Sequence, residues 1–389
     1  MLVLQDLGKQ MKPLDSWMYP SSTSTIEFPP SLETCSSVGT RLGRILASVH
    51  CDPALLLKSQ TLADNGKLWF ENPDAKDLIR AEIVEKVLPI LRPWIDPETG
   101  RTEKIARVIS RDFEHGFLET LHLSSSPSFD VPQSMFSMGD LWTGSIIVDA
   151  SPATSSSDPN FGAMMEAKVG LIDWEFASPA RIGQDIAQLS AWLYLLSTSS
   201  GWSSADPRCR RAVTDTIVIP SASATGLGQF GSDSGAGICH GTGVEGGAKP
   251  TMGETLGWQT AAGTLMDALM KAYARKVKEY PNYIWFVDEE YDQRRYQKER
   301  FAVIRSIWIL FGREVIYNSV EAGSRLARFF TVDVDGGEDE EIKMWQREMI
   351  EVGCWYVSVA GESPDEEFEE IVRKERMLGM MYAVSGPSQ

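Results

Sequence analysis

A chain of 389 residues is long enough to bury one large core or two ordinary ones. Its 43% hydrophobic and 23% charged content is that of an ordinary globular protein, and a formal net charge of −17 argues against nucleic acid or an anionic membrane as the main partner, since both are polyanions. The five cysteines (35, 51, 209, 239, 354) form no C-x-x-C pair, no apolar run reaches transmembrane length, and no basic-then-apolar leader opens the chain, so a reduced, cytoplasmic protein without a zinc site or disulfide framework is expected.

In chain order, MLVLQDLG (1–8) reads as a short edge strand ending in a turn at Gly8, and 11–30 as turn-like, with four prolines and a Ser/Thr run. Residues 33–50 carry Val38, Leu42, Ile45, Leu46 and Val49 at helical spacing; His50, at the end, reads as a buried structural histidine. A second amphipathic helix is predicted over 74–92, capped by Asp74 and ended or kinked by Pro89, and a third over 101–122. His115 and His122 share a face of the third without a carboxylate partner, which predicts helix surface rather than a metal site.

Two Ile/Val-rich runs, 145–148 and 168–172, flank a Ser/Pro-rich spacer and predict an antiparallel hairpin with a long tip. Pairing them brings Asp140 and Ser145, before the first run, beside Asp173 and Glu175, after the second. Two apart in an extended backbone, Asp173 and Glu175 would point to the same side. Three carboxylates and a hydroxyl are hard oxygen ligands suited to Mg²⁺, which takes one or two carboxylates and completes its shell with phosphate and water. A remaining carboxylate could take a proton from a substrate hydroxyl. Alone, Gly-Asp-Leu reads as a turn and Asp-Trp-Glu as a solvated strand end; together, at hairpin spacing, they read as a site for phosphoryl transfer. Asp185, in GQDIAQL, reads as an N-terminal helix cap.

A buried helix follows Asp185, and then a Ser/Gly-rich segment, 198–256, reads as a disordered insertion. Within it GTGVEGGAK (241–249) follows no apolar strand and reads as linker rather than phosphate loop, and the adjacent Cys239 and His240 lack further ligands. Helices resume over 260–279 and 288–327, the latter broken near Gly312. Its basic residues (Arg294, Arg295, Lys298, Arg300, Arg305, Arg313) read as a solvated face. Residues 333–341 read as an acidic linker, followed by a helix over 340–358 and a charged tail.

MGDLWTGSIIVD followed by LIDWEF resembles the catalytic and metal-binding motifs (H-G-D-L-x-x-x-N, then I-D-x-E) of the aminoglycoside phosphotransferase and choline kinase superfamily, relatives of the protein kinases. The methylthioribose kinase branch is similar in its T-G-S and in the acidic residue two after the metal-binding Asp. The resemblance implies a mainly α, kinase-like C-terminal lobe (9–332) with a small β-hairpin, acting with ATP and Mg²⁺ on a small-molecule alcohol, with 333–389 as linker, terminal helix and tail. It implies Asp140 as catalytic base, Asp173 as principal metal ligand, Glu175 as accessory ligand, Ser145 where relatives carry a ligating Asn, and Asp185 as a brace for the loops. MLVLQDLG is similar to the family's hinge strand, which implies that Gln5 and Leu7 hold the adenine through backbone groups and that the N-terminal lobe is missing or reduced. Met138 stands where relatives have His, and Tyr317 and Asn318 where methylthioribose kinases carry an Arg pair. The rival expectation is a non-catalytic, pseudokinase-like binding protein.

Overall fold

The structure, a computed structural model, describes residues 11–19, 30–52, 54–55, 72–115, 135–149, 168–180, 183–202, 261–280, 293–322, 326 and 338–374. Gln5, Leu7, His122, Cys239, His240, the segment 241–249 and the acidic residues 333–337 lie outside them. Among the described residues the fold is mainly helical, with one three-stranded antiparallel sheet and one two-stranded ribbon. No described helix is long and apolar enough to cross a membrane.

Residues 11–19 are more ordered than their composition predicts. Lys12–Pro13 forms an edge strand, β1, where a proline costs no ladder bond, and Leu14–Met18 a short helix, α1, that buries Leu14 and Met18 completely. Helix α2 (Leu32–Cys51) matches its predicted stripe; the Ser31 hydroxyl accepts from the Thr34 N–H at 3.2 Å and fixes its start.

The helix predicted over 74–92 is divided. Its opening segment, α3 (Pro73–Ile79), is capped not by Asp74 but by Asn72, whose side chain accepts from the Ala75 N–H. Asp74 sits in the first turn, favoured there by the helix dipole. A wide π-turn (Arg80–Val84) follows, and then α4 (Val87–Leu91). Pro89 lies within α4, and the break falls four residues before it, at Glu85, where a proline ring would meet the carbonyl of a continuous helix. Helix α5 spans Arg101–His115.

Strand β2 (Met135–Ser137) pairs with β5 (Ser178–Ala180), and β3 (Ile146–Asp149) pairs with both β1 and β4 (Lys168–Leu171). The predicted hairpin is therefore formed, with Ile146 opposite Leu171 and Asp149 opposite Lys168. Helix α6 (Gln184–Trp202) runs past the expected start of the disordered segment. Thr198 and Ser199 remain buried in it because their hydroxyls donate to the carbonyls of Tyr194 and Leu196 in the preceding turn.

Helix α7 (Ala261–Val277) lies against α2, and α8 (Gln293–Glu321) against α9 (Glu338–Glu362), with α10 (Asp365–Lys374) after it. Three expectations change here. Helix α8 is unbroken at Gly312, which serves a close approach instead: a Cβ there would lie 2.5 Å from the Gly353 carbonyl oxygen of α9. The acidic residues 338–341 open α9 rather than extend a linker, and the charged tail begins as α10. Two arginines of α8, Arg305 and Arg313, are not part of a solvated face. Arg305 donates to the carbonyls of Ala360 and Ser363, which end α9, and stacks 4.1 Å above the Phe368 ring, while Arg313 is 2% exposed and paired with Glu314. Side chains of α2 and of α6 through α10 share one hydrophobic core.

Candidate active site

The hairpin delivers its two ends to a cleft of about 610 Å³. Asp140 enters from the loop after β2, and Asp173 and Glu175 from the segment after β4. The rest of the lining comes from α3 and its π-turn (Leu78, Ile79, Glu82, Ile83), from α6 (Gln188, Trp192) and from α8 (Glu314, Tyr317, Asn318, Glu321). Three of the four predicted polar residues thus meet in one place.

Ser145 does not join them. It is fully buried, its hydroxyl donates to the Trp142 carbonyl at 2.8 Å and accepts from the Trp142 N–H at 3.1 Å, and it is absent from the cleft lining. Its job is to close the 3₁₀ turn Thr143–Ser145 that leads into β3, and its backbone carbonyl accepts from the Ile172 N–H at 2.9 Å, tying the strand to the Asp173 segment. The extended backbone expected at Asp173 is also replaced. Asp173 has φ 62° and ψ 54°, a left-handed conformation that Asp tolerates better than most residues, and Trp174–Phe176 is a 3₁₀ turn. The two acids therefore reach the cleft through a tight turn rather than a pleat. That turn is held from three sides. Asn72 donates to the Glu175 carbonyl at 2.8 Å, the Trp174 indole N–H donates to the Leu171 carbonyl at 3.1 Å, and the Trp174 ring stacks on Phe136 with centroids 6.1 Å apart.

Asp185 is not a helix cap. Its carboxylate lies in the first turn of α6 but accepts from the loop that carries Asp140: Ser137 Oγ at 2.5 Å and the N–H groups of Met138 (2.8 Å) and Gly139 (3.2 Å). His50 completes the set, with Nε2 donating to Asp185 Oδ2 at 3.0 Å and Nδ1 against the Tyr273 hydroxyl at 2.9 Å. Met138 thus gives this brace a backbone N–H, and α2 gives it the imidazole of His50. Burial pushes the Asp185 carboxyl up, but the hydrogen bond and charge of His50, with Ser137 and the Met138 amide, outweigh it and hold the pKa below the usual value. Gly139 turns the loop with φ 84°, and a Cβ there would lie 2.3 Å from the Phe176 carbonyl oxygen, so the two acidic segments touch backbone to backbone.

Asp140 shifts the other way. Burial, then the charges of Glu314, Asp173, Asp185 and Glu175, raise its pKa from 3.8 to about 6. Among the described residues no three Asp, Glu, His or Cys side chains are close enough to form a metal-binding group. Asp173 and Glu175 remain as hard oxygen donors opening on the cleft, and two protein carboxylates are what Mg²⁺ commonly takes beside phosphate and water.

Of the lining residues from α3, its π-turn, α6 and α8, the sequence singled out only Tyr317 and Asn318, as the pair standing where the resemblance would put two arginines. Glu314, Tyr317, Asn318 and Glu321 recur at helical spacing within an otherwise apolar stretch, and that polar stripe was the available signal for the others. Glu82 and Gln188 carried no such mark. No protein-family model matches the chain, and a search of curated proteins finds no match.

Proposed function

We propose that the cleft transfers the terminal phosphoryl group of ATP to the hydroxyl of a small molecule, on a lobe similar to the C-terminal lobe of aminoglycoside phosphotransferases and choline kinases. The observation that carries this reading is the meeting of Asp140 with Asp173 and Glu175 in one cleft, the first on a loop held by Asp185 and the other two on a turn held by Asn72. In the proposed reaction the acceptor oxygen bonds to the γ-phosphorus, the bond to the ADP oxygen breaks, and the acceptor proton passes to an Asp140 oxygen. A carboxyl raised to about 6 is ionised at neutral pH yet a better proton acceptor than an ordinary aspartate. Asp173 and Glu175 would hold Mg²⁺, without Ser145; bound there, the ion supplies positive charge for the β- and γ-phosphate oxygens. Trp142 and Trp192, 5.7 Å apart, and the aliphatic residues of α3 leave an apolar flank beside Asp140 on which the body of an alcohol can rest.

One observation favours a second reading, a non-catalytic binding protein. The described lining has six carboxylates (Glu82, Asp140, Asp173, Glu175, Glu314, Glu321) and no lysine or arginine to receive phosphate. The readings diverge in one experiment, in which the full chain is incubated with Mg²⁺, labelled ATP and a panel of alcohols. The kinase reading expects label on an alcohol, a loss of about 10²–10⁴-fold in Asp140→Asn, and loss of Mg²⁺-dependent nucleotide binding in Asp173→Ala. No transfer and no thermal shift at millimolar Mg·ATP would sink it and leave the binding reading.

A further inference from the structure

The loop that carries Asp140 is gripped on both sides of that residue by one side chain. Gln188 of α6 donates from Nε2 to the Gly139 carbonyl at 2.9 Å, and its Oε1 accepts from the Leu141 N–H at 3.4 Å. The flanking peptide groups therefore close on the two ends of a single amide. The assignment of its oxygen and nitrogen follows from chemistry: reversed, the amide would set oxygen against the Gly139 oxygen and NH₂ against the Leu141 N–H. Gln188 is 2% exposed, so neither peptide can exchange this partner cheaply for water. One turn earlier Gln184 also donates to the Gly139 carbonyl, at 3.3 Å. Asp185 holds the loop before Asp140 but touches nothing after it, and its bonds end at the Gly139 N–H.

We propose that Gln188 is a positioning residue for Asp140, an amide clamp that fixes the Asp140 backbone on both sides and so sets where its carboxylate stands in the cleft. The inference rests on the proposed phosphoryl transfer for its kinetic consequence but not for its geometry. A glutamine is suited to the role because it offers donor and acceptor at once without adding charge beside a base already crowded by carboxylates. Methionine matches its length and offers neither. Glutamate keeps the acceptor for Leu141 and turns a carboxylate oxygen toward the Gly139 carbonyl.

The test uses the full chain with Gln188→Met and Gln188→Glu. In Gln188→Met, amide hydrogen exchange at Leu141 should quicken at least about 10-fold while exchange at Ile172, bonded to the Ser145 carbonyl, stays as in the parent. In Gln188→Glu, exchange at Leu141 should stay near the parent rate. Phosphoryl transfer should fall about 10²-fold in kcat in both variants with KM for Mg·ATP unchanged, because the base is misplaced and nucleotide binding is not. A raised KM at constant kcat would make Gln188 a substrate contact and overturn the proposal. If Gln188→Met does not fold, Gln188→Glu decides by the kinetic split. Should the parent transfer no phosphate, the functional reading falls by itself, and unchanged Leu141 exchange in Gln188→Met overturns the clamp independently.

Discussion

The middle of the contact between α8 and α9 is made by rings and by the absence of side chains, with polar bonds on either side of it, from Arg305 to the Ala360 carbonyl and from Gln346 to the Ser319 carbonyl. Trp308 and Phe311 meet Tyr356 edge-on at 5.0 and 4.7 Å, and Gly312 faces Gly353 backbone to backbone. Where the Asp140 loop lies against α6, the contact is made by hydrogen bonds to two buried side chains of α6, Asp185 and Gln188, the first held in turn by His50 of α2. The middle of the seam depends on volume, and the loop contact with α6 on its polar partners. A loop without regular structure cannot satisfy its own backbone, so a site built on it borrows polar groups from the helices behind. The seam can therefore be damaged by adding a methyl group, and the loop by removing an oxygen.

The loop contact should break hardest. Asp185→Ala leaves His50 Nε2, the Ser137 hydroxyl and the Met138 N–H buried without their acceptor, while the Gly139 N–H keeps Ser137 Oγ at 3.0 Å. Removing one member of such a buried set costs about 3–5 kcal/mol, so a large fall in the urea midpoint is expected. Because the Asp185 pKa is held low, its stabilisation is present above the unfolded carboxyl pKa and is lost as pH falls through the folded value. The gap between parent and variant should then shrink in acid. A variant as stable as the parent at pH 7 would mean that the loop is not held by this carboxylate.

At the seam, Gly312→Ala should cost about 1–3 kcal/mol, the usual penalty for overpacking, since the new Cβ would start 2.5 Å from the Gly353 oxygen and must push α8 and α9 apart. The pH dependence of stability should be unchanged, which is what separates the seam from the loop. A neutral effect in calorimetry would show that α8 and α9 move apart more easily than their packing implies.

The sequence announced these two regions unequally. Helix α2 followed from apolar spacing, because burial imposes a period, α6 from an almost wholly apolar run, and the β3–β4 hairpin from two Ile/Val-rich runs about a spacer. Gly312 misled, since a glycine within a helix signals a break and a close approach equally, and only the partner helix, some forty residues away, decides. Asp140, Asp173 and Glu175 were legible through motif and hairpin together. Ser145 was not, because a hydroxyl at a tight turn has a nearby backbone to bond, and Trp142 supplied it. Asp185 read as a cap by local rules and as a loop brace only through the resemblance, since its bonds to the Met138 and Gly139 amides span more than forty residues. Gln188 was invisible for the same reason.

The smallest expected effect has the opposite sign and sharpens the contrast most. The Asp140 carboxyl is raised from 3.8 to about 6, so the folded chain holds that proton more tightly than the unfolded one. The resulting stability is fully present below 3.8 and is lost as pH rises through about 6; at neutral pH the ionised carboxylate is a burden on the fold. Full conversion of the shift sets a ceiling of about 3 kcal/mol, and the opening of the cleft to water lowers the expectation to about 1 kcal/mol. Asp140→Asn, nearly isosteric and always neutral, should therefore melt a few degrees higher than the parent at pH 7.5 and show little difference at pH 4. Ordinary loop aspartates carry no such burden, and neither does Asp185, where the same substitution would remove an acceptor the fold requires. An Asp140→Asn chain less stable than the parent at neutral pH would place that carboxylate among the structural groups, and the distinction between a loop that is held and a side chain that strains the fold would fail at its most specific point.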